Sequence, residues 1–419
     1  MSHLSPLLQQ ASHLHVDHGK GCWLFDSDNQ AYLDFTSGIG VTSTGHCHPT
    51  VVSAAKAQLD KVIHAQYTTV SHQPMLDLSD QLAELTPGEL NSIAFSNSGS
   101  EAVEMALRLA RHATGRSNVI CFHGGFHGRT LGAASMTSSG TKVRTGFHPM
   151  MAGVVFAPFP HLYRYGWDEA QATAFCLAEL DELFLTQSAP EDTAAMIIEP
   201  IQGEYGYYPA PQAFMQGLEA RCRQHNILLI CDEIQAGYGR SGKFWSLEHT
   251  GVQPDILITA KGLASGFPLS AIAAPDSLMA KGRPGSQGGT YGANAVACAA
   301  ALGTLQVMHE ENLVANTEQR GQQLRQGLQP LVDQSPWLDD LRGKGLMLGL
   351  EVAENRSTPR PDLAGRLTDA CERRGLLLLR CGTHGQIIRW LPPLIVNAAE
   401  IDDAVNRFTD ALTEITENL

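Results

Sequence analysis

The stretch Asp255-Ile-Leu-Ile-Thr-Ala260-Lys261-Gly-Leu-Ala-Ser-Gly266 decides how this chain is read. Its first half is a short, continuous apolar run of strand type. Lys261 follows at once, with Gly262 and Gly266 behind it. A lysine at a strand terminus, beside glycines that let a bound group approach the backbone, is placed to project into a crevice. Upstream, Ile227-Leu-Leu-Ile-Cys231 is a second such run, and it ends in Asp232-Glu233. An amine and an acid thus leave the same kind of sheet edge. Most lysines in any chain are simply solvated, so the other segments must decide.

Outward from these two strands, helical and strand patterns alternate. Ser100 to Ala113 reads as a helix, with Ala102, Val103, Ala106, Leu107 and Ala110 in a stripe and Glu104 and Arg108 paired at i,i+4. Asn118-Val-Ile-Cys-Phe122 and Ala194-Ala-Met-Ile-Ile198 read as strands, and Pro211 to Asn226 as a helix burying Phe214, Leu218 and Cys222. These strands are continuous apolar runs, which predicts a mostly parallel sheet with helices on both faces. The pattern changes after Met308. Asn312 to Val332 reads as a long polar-faced helix leading away from the core. Strand candidates follow at Leu346–Leu350, Leu376–Leu379 and Ile387–Leu391, and a closing helix opens on Asn397-x-x-Glu400. Trp23-Leu-Phe25 and Tyr32-Leu-Asp-Phe35 form a hairpin expected to join this α+β part. The expected division is 1–50 and 311–419 in a small domain and 51–310 in a large one.

Composition narrows the class. With 419 residues and 43% hydrophobic content, the chain can bury a large core. A formal net charge of -14 argues against a nucleic-acid surface. The nine cysteines are scattered and odd in number, which favours a reducing cytoplasm over a disulfide framework. Met1-Ser-His-Leu-Ser-Pro6 lacks the features of a signal peptide, and no apolar run reaches the length of a membrane span.

The lysine and acid fit one cofactor in particular, pyridoxal 5'-phosphate, which needs a Schiff-base lysine and an acid against its pyridine nitrogen. Further segments point the same way. Ser96-Asn-Ser-Gly99-Ser100-Glu101 precedes a helix, where free N–H groups and the dipole make a phosphate cradle, although such clusters are also ordinary N-caps. In His123-Gly-Gly-Phe126-His-Gly-Arg129-Thr130, Phe126 is suited to stack on a planar ring and Arg129 to hold a carboxylate. Arg389, inside Ile387-Ile-Arg-Trp390, is either paired with an acid or awaiting an anion.

Taken together these segments resemble the class-III aminotransferases, a branch of the fold-type-I pyridoxal-phosphate enzymes. The resemblance runs from Tyr32-Leu-Asp-Phe35 to Arg389. It includes Gly38-Ile-Gly-Val41, Gly45-His-x-His-Pro49, Asn97-Ser-Gly-Ser-Glu-Ala102 and Phe126-His-Gly-Arg129. Further along come Glu199-Pro-Ile-Gln-Gly-Glu204, Asp232-Glu-Ile-Gln235, Thr259-Ala-Lys-Gly262 and Gly289-Thr-Tyr-Gly292. It implies Lys261 as Schiff base and Asp232 on the ring nitrogen. Phe126 and Ile234 would sandwich the ring, and Gln235 would meet its phenolic oxygen. Gly99 and Ser100 would hold the phosphate, with Thr290 from the other subunit of a homodimer (or of a tetramer built from dimers), and Glu199 would support the site. Arg129 and Ile39 would meet the far carboxylate of an ω-amino acid. Glu204 and Arg389 would form a gate, paired in one half-reaction and parted in the other.

The expectation is therefore transfer of an amino group from an ω-amino acid such as 4-aminobutyrate to 2-oxoglutarate. Acetylornithine-type transamination and amino-acid racemisation or epimerisation on the same scaffold are the alternatives. Two departures stand out: Tyr205-Gly-Tyr-Tyr208 where the family usually continues with glycines, and bulky Trp390 beside Arg389. Gly237-Tyr-Gly239-Arg-Ser-Gly242 has dinucleotide-loop spacing, but it stands too far from its strand and Phe244 takes the place of a P-loop hydroxyl. His46, His48, His123 and His127 lack a second Cys/His pair at zinc-ligand spacing, so no metal is expected.

Overall fold

The computed structural model describes residues 3–417; Met1, Ser2 and the last two positions, parts of the N-terminal and 311–419 readings above, lie outside the described residues. A seven-stranded sheet organises the middle of the chain. In spatial order its strands are Ser92–Ser96, Ser270–Ala274, Ile256–Thr259, Leu228–Asp232, Thr193–Ile198, Asn118–Phe122 and Val154–Ala157. Only Ser270–Ala274 runs against its neighbours. The rest point their carboxyl ends the same way.

Period-two alternation divides the apolar residues of these strands between two cores. Ile120, Phe122, Met196, Leu229 and Cys231 face one cluster, with Phe214 and Leu218 of the Gln212–His225 helix. Val119, Cys121, Ile197, Ile230 and Ile258 face the other, with Ala102, Val103 and Ala106 of the Gly99–Thr114 helix. Both faces are covered, which is why the strands read as unbroken apolar runs. Each fully buried Val, Leu or Ile contributes about 1.5–3 kcal/mol, so this double burial fixes the sheet rigidly. The Gly99–Thr114 helix starts where sequence predicts. Ser98 accepts from the Glu101 N–H, Glu101 returns the bond, and Gly115 at φ 69° ends it.

The C-terminal part forms a second layer. Leu338–Lys344, Met347–Asn355, Ile387–Trp390 and Leu379–Cys381 make an antiparallel sheet. The Trp23–Asp26 and Ala31–Asp34 hairpin gains Val16–Lys20 on one side and pairs in parallel with Leu376–Leu377 on the other. The predicted Leu376–Leu379 strand is thus split between two sheets. The long helix, Leu313–Gln334, does not lead away from the core as expected: Leu313, Leu324 and Leu328 are buried against the second layer. The strand Leu338–Lys344 and the helix Pro361–Arg373, which buries Leu363, Leu367 and Cys371, are among the elements the sequence reading does not contain. The closing helix is Ala398–Thr416, with the Asn397–Glu400 capping box in place. On the strength of these sheet memberships we propose the division into 51–310 and a smaller unit drawn from 1–50 and 311–419. Among the described residues, no helix is long and apolar enough to cross a membrane.

Candidate active site

The site forms where loops leave the carboxyl ends of the large sheet, the usual place for ligands in such sheets. Asn97 follows the Ser92–Ser96 strand, His123 follows Phe122, Glu199 follows Ile198, and Asp232 ends its own strand opposite Ile258. Lys261 emerges from the adjoining strand, two residues past Thr259, with φ 44°. Holding a lysine in that left-handed region costs roughly 1–2 kcal/mol, which the surrounding packing must sustain.

These loops enclose a cavity of about 440 Å³. Lys261, Asp232, Phe126, Ile234 and Gln235 line it, together with Gly99, Ser100 and Glu199. Ile39, Arg129 and Glu204 complete the predicted set on its wall. Thr290 and Arg389 are not part of the wall. Thr290 is exposed, away from its own chain's cavity. Arg389 is buried behind Glu204: its Nη1 donates to Glu204 Oε1 at 2.6 Å and its Nη2 to the Arg380 carbonyl at 3.2 Å, while its buried Nε has no partner.

Asp232 is held on both sides. One carboxylate oxygen accepts from the Ile234 N–H at 3.1 Å, and the other lies 2.8 Å from His127 Nδ1. Burial opposes charge on His127, but the hydrogen bond and charge of Asp232, with Glu199 adding, hold its pKa above the ordinary value. Sequence reasoning weighed His127 only as a zinc ligand and missed this contact. Glu199 ties two loops together, accepting from the Phe126 N–H at 2.7 Å and the Gly203 N–H at 2.9 Å. Its pKa is raised, chiefly by burial, with Asp232 reinforcing and His127 opposing. Lys261 is shifted downward, first by burial, while Glu204 pulls the other way and Arg389 adds to the fall. For Glu204, burial raises the pKa, but Arg389 and then Lys261 overcome it and leave it below the ordinary range.

The anion cradle is equally specific. At the start of the Gly99–Thr114 helix, the Glu101 N–H is taken by Ser98 Oγ and the Ala102 N–H by the Ser98 carbonyl. The Gly99 and Ser100 N–H groups have no partner among the described residues, so two donors and the helix dipole are left to the cavity. A Cβ at position 99 would meet Ile234 Cδ1 at 2.9 Å, so a larger residue there would displace the Ile234 side chain.

Both sequence departures turn away from this cavity. Tyr205 packs its ring 4.7 Å from His161 and accepts at its hydroxyl from Arg164 at 2.6 Å. Trp390 is buried edge-on against Phe35 and Phe408, on the opposite side of its strand from Arg389. The glycine-rich turn at Gly237–Gly242 is buried structure, with Arg240 Nη1 donating to the carbonyls of Leu346 and Pro392. His46 bonds Asp34, and His48 bonds Glu311.

The sequence profile of the family described as Aminotransferase class-III matches residues 7–412. The chain belongs to this family. The enzyme is 38% identical over 403 residues to a 5-aminovalerate aminotransferase from Pseudomonas putida, covering 96% of this chain and 93% of that protein. It is 37% identical to a 4-aminobutyrate aminotransferase from Escherichia coli, with 95% and 93% covered. Among solved structures, an (S)-enantioselective omega-transaminase from Thermomicrobium roseum superposes with a TM-score of 0.92 at 30% identity, covering 99% and 96%. An omega transaminase from Pseudomonas jessenii in complex with PMP gives 0.91 at 28%, covering 96% and 93%. The enzyme is thus a fold-type-I transaminase whose cofactor is pyridoxal 5'-phosphate. The cavity fits that group: it offers a lysine amine, an oriented acid, two unpartnered N–H donors, and a buried Gln235 carbonyl oxygen that lacks a partner.

Proposed function

We propose that this enzyme moves an amino group from an ω-amino acid, with 4-aminobutyrate as the type donor, to 2-oxoglutarate. The observation that carries this reading is the Glu204–Arg389 pair, with the carboxylate on the cavity wall and the guanidinium behind it. Such an enzyme receives, in one site, a donor without an α-carboxylate and an acceptor with one. While Glu204 covers Arg389, the inner end of the cavity offers no cation to an α-carboxylate. When Glu204 turns aside, Arg389 presents a fork for it. Arg129, on the wall with Ile39, has no ion-pair partner among the described residues and is assigned the far carboxylate in both halves. The names of the 5-aminovalerate and 4-aminobutyrate relatives support an ω-amino donor. An acetylornithine aminotransferase from Archaeoglobus fulgidus at 35% identity keeps an acetylornithine-type donor as the second reading.

Bound pyridoxal 5'-phosphate supplies an electron sink for the charge left when the substrate carbon loses its proton. Lys261 would hold the cofactor through its amine and, once free, would serve as the base for the proton transfer. Burial, with Arg389 adding, shifts its pKa downward, toward the neutral amine. Asp232, steered by His127 and the Ile234 N–H, would keep the ring nitrogen protonated. Phe126, Ile234 and Gln235, all on the cavity wall, would hold the ring. Gly99 and Ser100 hold the phosphate, with Thr290 supplied by a second copy of the chain. Glu199 fixes the loops carrying Phe126 and Glu204.

The exposed position of Thr290 supports a homodimer, as do the exposed apolar side chains of Val62, Ile63, Val70 and Tyr291. Nine free cysteines, only Cys47 of them exposed, support a cytoplasmic setting. A donor panel with 2-oxoglutarate tests the substrate: 4-aminobutyrate or 5-aminovalerate should give the highest kcat/KM. A clear preference for N-acetylornithine would replace this reading with the second.

A further inference from the structure

We propose that the enzyme carries a second ligand site, separate from the active site, for a small anion bearing two or more negative charges. Three arginines, Arg144, Arg164 and Arg356, converge on a cavity of about 690 Å³ that shares no lining residue with the Lys261 cavity. Its volume falls within the range of small-molecule sites, roughly 300–1,000 Å³.

The charge of this cavity is out of keeping with the chain around it. The protein has 43 acidic and 29 basic residues, so a wall with three guanidiniums and one carboxylate stands against its overall charge. Some surface arginines elsewhere find a carboxylate: Arg221 pairs with Asp181, Arg360 with Asp362, Arg373 with Glu414. None of the three arginines in this cavity has an acidic partner among the described residues. Arg144 donates to the Thr137 carbonyl at 3.1 Å and lies 5.2 Å over the Phe156 ring. Arg164 donates to the Tyr205 hydroxyl, and Arg356 lies 5.9 Å over the Tyr163 ring. The one carboxylate in the wall, Glu351, is committed to Arg342 at 2.7 Å and Gln386 at 2.9 Å. The three guanidiniums therefore face the cavity uncancelled, and their planar forks suit carboxylate or phosphate oxygens.

The position also accounts for Tyr205, which interrupts the expected glycine run. Its ring walls this cavity and its hydroxyl props Arg164. Gly166, the left-handed cap at φ 67° that ends the Leu162–Tyr165 turn, lies against the Arg356 guanidinium.

The test uses holoenzyme reduced with borohydride, in which Lys261 is consumed and the phosphate cradle is filled. Titration calorimetry at constant ionic strength employs two probes, inorganic phosphate and citrate. Saturable binding of at least one is expected, about ten-fold weaker in R356E and in R164Q/R356Q and unchanged in R129Q. Arg356 is exposed on the turn after Met347–Asn355, so R356E leaves the core intact even if the double variant folds poorly. Binding of phosphate alone assigns a phosphorylated ligand, and of citrate alone a polycarboxylate. The proposal is overturned if neither probe saturates, if both bind R356E as well as the parent, or if R129Q weakens binding equally.

Discussion

Glu204 Oε1 accepts a hydrogen bond from Arg389 Nη1 at 2.6 Å, and this contact sets the carboxylate, not the guanidinium, against the Lys261 cavity. Arg389 is almost fully buried and Glu204 less so. The arginine is thus the fixed member, locked in the Ile387–Trp390 strand between two neighbours, and the acid is the one free to move. A buried guanidinium left bare is costly, so under the proposed function a carboxylate would meet it throughout: Glu204 in one half-reaction, the acceptor's α-carboxylate in the other.

The His127–Asp232 contact predicts a pH-dependent stability. The folded-state pKa of His127 is raised above its unfolded value of about 6.5. Its contribution is therefore fully present below that value and lost as pH rises through the folded pKa. His127→Gln should cost about 3 kcal/mol at mildly acidic pH, since one partner of a buried pair is removed. The gap in Tm between parent and variant should narrow toward alkaline pH. A gap that stays constant would mean the ring is neutral in the pair.

Lys261→Ala should abolish turnover while leaving the fold intact. After borohydride reduction of the parent enzyme, the cofactor should be found on the peptide containing Lys261, and mass spectrometry decides it. An adduct on another lysine would sink the assignment.

Replacing Asp232 with Asn removes the charge assigned to the ring nitrogen. Loss of one preorganised electrostatic partner in such sites is worth about 3–4 kcal/mol, or roughly 10²–10³ in rate. Cofactor should still bind through Gly99 and Ser100. Single-turnover rates near those of the parent would count against the role.

Much of this was legible in sequence because burial on both faces leaves a plain mark. Val119 and Ile120 serve different cores, so no polar residue can alternate between them. The Gly99–Thr114 helix announced itself by Ser98 and Glu101. Leu338–Lys344 did not, because its charged residues lie at the edge of the second sheet and mask the strand period. Pro361–Arg373 carries a stripe at Leu363, Leu367 and Cys371, the helical period that marks it. The orientation of Trp390 follows from strand alternation once Arg389 is assigned inward. By contrast, nothing local connects His127 to Asp232, which lie 105 residues apart and meet only because their strands end on the same edge of the sheet.

Arg129→Ala should impair every substrate with a far carboxylate, in both half-reactions, whereas Arg389→Ala should chiefly harm the 2-oxoglutarate half. Losing a charge-assisted bidentate contact costs about 1.5–3 kcal/mol, roughly ten- to a hundred-fold in kcat/KM. Half-reaction rates with each substrate distinguish the two. Equal losses from both variants in both halves would remove the division of labour.

The gate itself is tested most directly by stopped-flow measurement of the two half-reactions in Glu204→Ala. Without the covering carboxylate, Arg389 remains open to α-carboxylates. The half-reaction with 4-aminobutyrate should then slow while that with glutamate gains relative to it. If Glu204→Ala changes both halves by the same factor, Glu204 is not a switch, and the two-substrate account of this site is contradicted.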